Sequence, residues 1–253
     1  MEQEHNTKKR CTAIVLAAGQ GSRMGTKVQK QYLEIAGKPV LYYSLAAFEE
    51  SEIIDDVIVV VGEGQTEYCR KEIVEKYNFD KVDLITIGGK ERYESVYRAL
   101  LAMDREEMKV PNRDGYVFIH DGARPFVDEG IIERTYEAVR KHRACVAGMP
   151  SKDTIKVVDA DGFAKETPDR KTLWLVQTPQ VFEAPLIKEA YFRLMKKECI
   201  QVTDDAMVVE QMLGIPVKLI EGSYENIKIT TPEDLPVAEA FINRKNKCNS
   251  SAF

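Results

Sequence analysis

The segment Ala17-Ala18-Gly19-Gln20-Gly21-Ser22-Arg23-Met24-Gly25, with Lys27 and Lys30 just beyond it, gathers groups that hold an anion. Gly19, Gly21 and Gly25 let the backbone turn tightly and bring its N–H groups against a phosphate. Arg23, Lys27 and Lys30 add fixed positive charge to the same stretch. A second group, His120-Asp121-Gly122-Ala123-Arg124-Pro125, offers one carboxylate and a planar guanidinium. Asp121 suits Mg²⁺, which takes one or two carboxylates and fills its shell with phosphate oxygens and water. Arg124 suits a second phosphate, and Gly122 and Ala123 leave space for a ligand. Gly88-Gly89-Lys90-Glu91-Arg92, followed by Ser95, offers N–H groups and a hydroxyl to the edge of a base. Taken singly, these segments read equally as a glycine-rich turn, a capping aspartate and an ordinary helix start.

The first segment is neither of two commoner phosphate loops. No register supplies the G-x-x-x-x-G-K-[ST] of a P-loop. The dinucleotide fingerprint G-x-G-x-x-G fails because Met24 stands at its third glycine. That fingerprint also requires an acid after the second strand, where this chain has Gly62. Three further stretches are open to both structural and functional readings. Thr203-Asp204-Asp205 opens a helix, with Thr203 as its N-cap and acids over the positive helix end. Lys228 lies in Asn226-Ile227-Lys228-Ile229-Thr230, which reads as a strand. Lys152, Asp153, Thr154, Lys156 and Arg170 form a charged face.

These residues need a scaffold, and the apolar pattern supplies one. Strands are expected at 11–16, 56–61, 82–87, 115–119 and 144–148. Helices are expected at 39–50, 65–77, 90–103 and 128–141, where Val96, Leu100 and Met103 illustrate the helical spacing. Strand–helix alternation with uninterrupted Val/Ile strands predicts a mostly parallel sheet covered on both faces. Ligands of such sheets sit beyond the carboxyl ends of the strands, where the glycine loop and Asp121 both fall. The alternation breaks after Pro150. Thr154–Val158 and Leu173–Val176 flank the turn Asp159-Ala160-Asp161-Gly162 and predict a projecting β-arm over about 151–176. Its exposed apolar positions, Trp174 among them, call for a partner surface such as a second chain. Helices at 184–197 and 204–213 and strands at 216–220 and 226–230 follow. A last helix opens with Thr231 as N-cap, Pro232 and two acids, although Pro236 sits awkwardly in it.

The 253 residues fit one large domain, expected at 11–242, with unstructured tails at 1–10 and 243–253. A hydrophobic fraction of 44% and a charged fraction of 30% are those of a soluble globular protein. The net charge of −5 argues against nucleic acid as a partner. No apolar run approaches the ~20 residues that span a bilayer, and the polar start does not read as a signal peptide. Five scattered cysteines without a C-x-x-C pair point to a reducing, cytoplasmic setting and to no cysteine metal site.

Together the motifs stop looking independent. Ala17-Ala18-Gly19-x-Gly21-x-Arg23-Met24 with Lys30-Gln31-Tyr32, then His120-Asp121-Gly122-Ala123-Arg124-Pro125, resembles the 2-C-methyl-D-erythritol 4-phosphate cytidylyltransferases of non-mevalonate isoprenoid synthesis. Lys152-Asp153-Thr154-x-Lys156, Asp169-Arg170, Thr178-Pro179-Gln180-x-Phe182, Thr203-Asp204-Asp205 and Asn226 to Asp234 continue the match in order. The resemblance implies an α/β, Rossmann-like nucleotidyltransferase fold whose β-arm exchanges between the subunits of a homodimer. It also implies CTP, a polyol phosphate and Mg²⁺. By the same resemblance Arg23, Lys30 and Lys228 are catalytic and Asp121 holds the metal. Ala17, Ala18, Gly19, Gly89 and Ser95 correspond to the nucleotide pocket, and Arg124, Thr154, Arg170 and Thr178 to the sugar-phosphate site. Lys90 and Pro236 depart from the family pattern.

Attack by a phosphate monoester on the α-phosphorus of CTP suits these residues. With a second pKa of about 6 the nucleophile is already ionised at neutral pH, so cations and positioning carry the catalysis rather than a base. Three alternatives remain at this level. A ribitol-5-phosphate cytidylyltransferase would show a motif more like His-Asp-Ser-Val-Arg. A NAD-dependent dehydrogenase lacks its fingerprint here. A non-catalytic nucleotide sensor would not need Lys30, Asp121 and Lys228 together.

Overall fold

A computed structural model describes residues 8–19, 29–104 and 108–250 of the chain. The first strand, β1 (Cys11–Ala17), is followed by a 3₁₀ turn at Lys30–Tyr32 and a small ribbon of β2 (Glu34–Ile35) and β3 (Lys38–Pro39). Then come α1 (Val40–Glu50), β4 (Asp56–Val61), and α2 (Thr66–Tyr68), which runs on into a π-helix at Cys69–Glu75. β5 (Val82–Ile87), α3 (Arg92–Ala102), β6 (Tyr116–Asp121), α4 (Glu129–His142) and β7 (Ala144–Pro150) continue the alternation. After it come a hairpin of β8 (Val157–Val158) and β9 (Ala164–Glu166), then β10 (Trp174–Glu183), α5 (Ala184–Leu194), α6 (Asp205–Leu213), β11 (Lys218–Glu221) and α7 (Asp234–Ser250).

The seven-stranded sheet has the order β11-β7-β10-β6-β1-β4-β5. Neighbours are parallel except around β10, which runs antiparallel to β6 and β7. β1, β4 and β6 are buried on both faces, which is why they read as continuous apolar runs. Within those runs the alternation survives. Ala13, Val15, Val57, Val59 and Phe118 pack towards Leu45 and Phe48 of α1 and Ile131 of α4. Ile14, Ile58, Val60, Val117 and Ile119 pack towards Val96 of α3 and Ile187 of α5. Two helical layers thus clamp one sheet. Its carboxyl edge is the exposed end on which β1 and β6 finish side by side, with Leu16 opposite Asp121.

Several expectations need correction. The stretch at 226–230 is not a strand; it is held instead by the Ile229 N–H donating to the Ala123 carbonyl at 2.8 Å, with Ile229 fully buried. The arm pairs Val157–Val158 with 164–166 rather than with Leu173–Val176, of which Trp174–Val176 lies in β10 beside β7. Trp174 is only half-exposed, and Phe163, 73% exposed, is the arm's open aromatic. The N-cap of α6 is Asp204, whose carboxylate accepts from the Met207 N–H at 2.9 Å, and not Thr203. In α7 the cap chemistry also shifts: Asp234 accepts from the Thr230 and Thr231 N–H groups at 2.7 and 2.9 Å. Pro236 is then the third helical residue, where an N–H would have had no intrahelical acceptor. The helix continues to Ser250, past the boundary expected at 242.

Candidate active site

The chain passes from β1 to β4 and β5 on one side, then to β6 on the other. The carboxyl ends of β1 and β6 therefore flank the switch point of the sheet, where open α/β sheets bind ligands. A cleft lies there. Ala17, Ala18 and Gly19 form one wall, with Lys30 and Gln31 above them. Gly89, Lys90, Glu91, Arg92 and Ser95 form the opposite wall, and Asp121, Ala123 and Lys228 close the floor.

Each wall has a local cause. Gln31, 1% exposed, donates to the Ala17 carbonyl at 2.6 Å and to Gln29 Oε1 at 2.6 Å, which ties the 3₁₀ turn to the end of β1. The turn before α3 is a capping box between Glu91 and Glu94. The Ser95 hydroxyl accepts from the Gly89 N–H at 3.0 Å and donates to the Glu91 carbonyl at 3.2 Å. Gly88 is required by close approach, because a Cβ would lie 2.6 Å from both Ala18 Cβ and Ser95 Oγ. Gly122 is required for a similar reason: its Cβ would press on Leu41 Cδ1 at 2.9 Å and the Leu16 carbonyl at 3.0 Å. The expectation that Gly122 leaves room for a ligand is therefore wrong. It faces the core, and Ala123 alone of that pair lines the cleft.

Asp121 is the electrostatic centre. Lys228 Nζ lies 2.7 Å from its Oδ2, Arg92 Nε 3.4 Å from its Oδ1, and Arg124 Nε 3.9 Å from Oδ2. Burial pushes the carboxyl up, but the three cations outweigh burial and hold it well below the usual carboxylate range. Behind it, His120 Nε2 meets the Arg124 carbonyl at 3.1 Å, so that nitrogen carries the proton. His120 Nδ1 then accepts from the Thr178 hydroxyl at 3.0 Å, and Thr178 Oγ1 accepts from the Asp121 N–H at 3.0 Å. Asn226, fully buried, donates to the Thr178 carbonyl at 2.9 Å, while its own carbonyl accepts from Arg124 Nη1 at 2.7 Å. Asp121 is thus held both by its charge and by its backbone.

A sequence model for 2-C-methyl-D-erythritol 4-phosphate cytidylyltransferase matches residues 11–244. A protein of that name from Lachnospira eligens is 52% identical over 232 residues, covering 91% of this chain and 98% of its own. One from Caldanaerobacter subterraneus subsp. tengcongensis is 47% identical over 233 residues, covering 92% and 99%. The crystal structure of 4-diphosphocytidyl-2C-methyl-D-erythritol synthase from Anaerococcus prevotii superposes with a TM-score of 0.80 at 35% identity, covering 93% and 97%. The chain belongs to the 2-C-methyl-D-erythritol 4-phosphate cytidylyltransferase family. It is a nucleotidyltransferase, an enzyme class that commonly uses a divalent metal.

Of the positions that the family resemblance pointed to, the fold brings Ala17, Ala18, Gly19, Lys30, Gly89, Ser95, Asp121 and Lys228 to one cleft. Arg23 lies outside the described residues. Arg124 and Thr178 are buried behind Asp121 rather than on the cleft lining. Thr154 and Arg170 are exposed on the arm, where Arg170 Nη1 donates to the Lys152 carbonyl at 3.0 Å. Sequence reasoning missed Arg92, Gln31 and the His120–Thr178 link. Arg92 had one visible signal, its place as the first helical residue after a glycine pair.

Proposed function

We infer that this chain transfers the cytidylyl group of CTP to 2-C-methyl-D-erythritol 4-phosphate, releasing pyrophosphate, as family membership implies. The observation that carries the reading is the meeting of Lys30, Asp121 and Lys228 with the Ala17–Gly19 backbone at the switch point. A phosphate oxygen of the acceptor forms the new bond to the α-phosphorus, and the bond from that phosphorus to the bridging oxygen breaks. Lys30, with Arg23 from the glycine loop, stabilises the charge that grows on the departing pyrophosphate. Ala17, Ala18, Gly19, Gly89 and Ser95 receive the nucleotide, while Lys228 and Arg124 counter the charge of the incoming phosphate. His120 takes no part in proton transfer, because it is fully buried and both ring nitrogens are engaged within the protein.

Asp121 fits a Mg²⁺ that arrives with the nucleotide. Its ionised carboxylate stands on the cleft floor, and no cluster of three or more acidic, histidine or cysteine side chains suited to caging a metal occurs among the described residues. Bound there, Mg²⁺ would neutralise phosphate charge. Asp121 itself positions the cations around it, and Lys228, 2.7 Å away, is placed to shift from the carboxylate to a phosphate.

The acceptor follows from the family rather than from any pocket of this chain. Pyrophosphate release should be measured with CTP and other nucleoside triphosphates, each against methylerythritol phosphate and ribitol 5-phosphate. CTP with methylerythritol phosphate should be preferred. A methyl group in an apolar pocket alone accounts for only about 10–200-fold in kcat/KM, so correctly placed hydroxyl partners must supply any greater preference. Equal or faster use of ribitol 5-phosphate would overturn the acceptor and leave the transfer chemistry standing.

The working unit is a homodimer joined through the arm. Val157, Val158 and Phe163 are exposed apolar residues in a two-stranded ribbon, which has little independent stability in water. Thr154 and Arg170 on that arm then serve the partner's acceptor site. Mixing inactive Arg170→Ala and Lys30→Ala proteins should restore activity through mixed dimers that carry one intact site. A fully active monomer at assay concentration would exclude the arrangement. No helix among the described residues is long and apolar enough to cross a membrane. We place the enzyme in the cytoplasm, consistent with four free described cysteines, and cell fractionation checks it.

A further inference from the structure

Arg92 has two carboxylates within reach and divides itself unequally between them. Its terminal nitrogens Nη1 and Nη2 donate to Asp205 Oδ1 and Oδ2 at 2.9 and 2.7 Å, a two-pronged pair. Only its Nε edge faces Asp121, at 3.4 Å. Asp205 is fully buried, and Tyr191, itself fully buried, donates its hydroxyl to Oδ1. Gln180 fixes the backbone beneath this pair: its Oε1 accepts from the Asp205 and Ala206 N–H groups at 3.0 and 2.9 Å. The start of α6 is thereby tied to β10, next to the strand that carries Asp121.

A fully buried carboxylate is a poor device for stability, since well-packed apolar residues usually serve as well or better. Asp205 also does not cap its own helix, because Asp204 does that. What it does is hold the guanidinium fork turned away from Asp121. Without that hold, the fork is free to make its two-pronged pair with Asp121 instead. Asp121 would then have the close fork of Arg92 on both oxygens in addition to Lys228 on Oδ2, in place of the single 3.4 Å contact that Nε now makes with Oδ1.

We propose that Asp205 is a positioning residue for the reaction: by taking both terminal nitrogens of Arg92 it leaves Oδ1 of Asp121 only the long 3.4 Å contact with Nε, which the metal that accompanies CTP can replace. The proposal rests on the reading of Asp121 as metal holder. It assigns to Asp205, 113 residues from Arg92 in sequence, a function performed entirely through Arg92.

The test uses the full chain and reads binding rather than turnover. CTP affinity is measured calorimetrically with Mn²⁺ and again in chelator, and the ratio gives the gain due to metal. Asp121→Asn should abolish that gain. Asp205→Asn should cut it by about ten- to a hundredfold, the usual effect of losing a group that orients a metal ligand. Adding Arg92→Gln to Asp205→Asn should then recover the gain to within a few-fold of wild type, because the fork that would cover Asp121 is gone. A purely structural role for Asp205 would show no such recovery. The double variant replaces a buried ion pair by two neutral amides, so it also serves if Asp205→Asn alone fails to fold. An unchanged gain in Asp205→Asn, or a double variant as impaired as the single one, overturns the proposal. If Asp121→Asn leaves the gain intact, the metal assignment fails first and takes the proposal with it.

Discussion

Replacing Asp121 with asparagine should lower kcat/KM by about 10²–10³, the range found when a preorganised electrostatic partner of a transition state is removed. The side chain keeps its size, and the Asp121 N–H to Thr178 is untouched, so the loss is one of charge. Lys228, Arg92 and Arg124 would be left converging on a neutral amide. Their positive field would then attract the triphosphate without a metal, and CTP binding in chelator should be as tight as in wild type or tighter. A misfolded site would weaken binding under both conditions, so the two measurements separate the causes. Turnover equal to wild type at saturating CTP and Mg²⁺ would remove Asp121 from the mechanism.

The sheet was legible wherever burial was continuous. β4 begins and ends where its apolar run does, and β1 exceeds its run by one residue. β10 was hidden because the middle of the strand is polar: Gln177, Thr178 and Gln180 are all buried there. Their partners are Ser223, His120 and the first turn of α6, contacts that exist only after folding. Polar residues inside a central strand break the period that marks a strand, and nothing local shows that they will be satisfied.

The site divides in the same way. The glycine loop and His120-Asp121 announce themselves because each places its chemistry within a few residues. Asp205 does not, because an acid in the first turn of a helix already has an adequate explanation in the helix dipole. Only the meeting with Arg92 shows that this explanation belongs to its neighbour Asp204. Gly122 misled for a related reason. A glycine beside an aspartate on the cleft suggests space for a ligand, yet the space it leaves is filled by Leu41 and Val15 of the core. The motif is thus partly a packing motif, and the same residue can hold a site together without touching what binds there.

Between pH 6.5 and 4 the folded protein should lose about 3 kcal/mol of stability through His120 alone. Burial pushes this imidazole down to about 4, although the Arg124 carbonyl and the Asp121 charge pull the other way. Arg124 and Lys228 add to the downward push, and the edge-on Phe48 ring, 5.3 Å away, helps to keep the site apolar. In the unfolded chain the ring takes its proton near pH 6.5, whereas in the native state it stays neutral to about 4. Across that window the unfolded state binds the extra proton, so stability is full above pH 6.5 and falls as the pH drops. Asp121 does not blur the result: its folded carboxyl is held below the ordinary range, so its contribution is lost only under more acid conditions. Denaturant unfolding from pH 7.5 to 4 should therefore show a steeper decline for wild type than for His120→Asn. The variant starts less stable, having lost the bond to the Arg124 carbonyl, but it has no ring to titrate. Parallel curves for the two proteins would mean that His120 is not held neutral, and that the Thr178 hydroxyl does not point to it as the hydrogen bonds around Asp121 require.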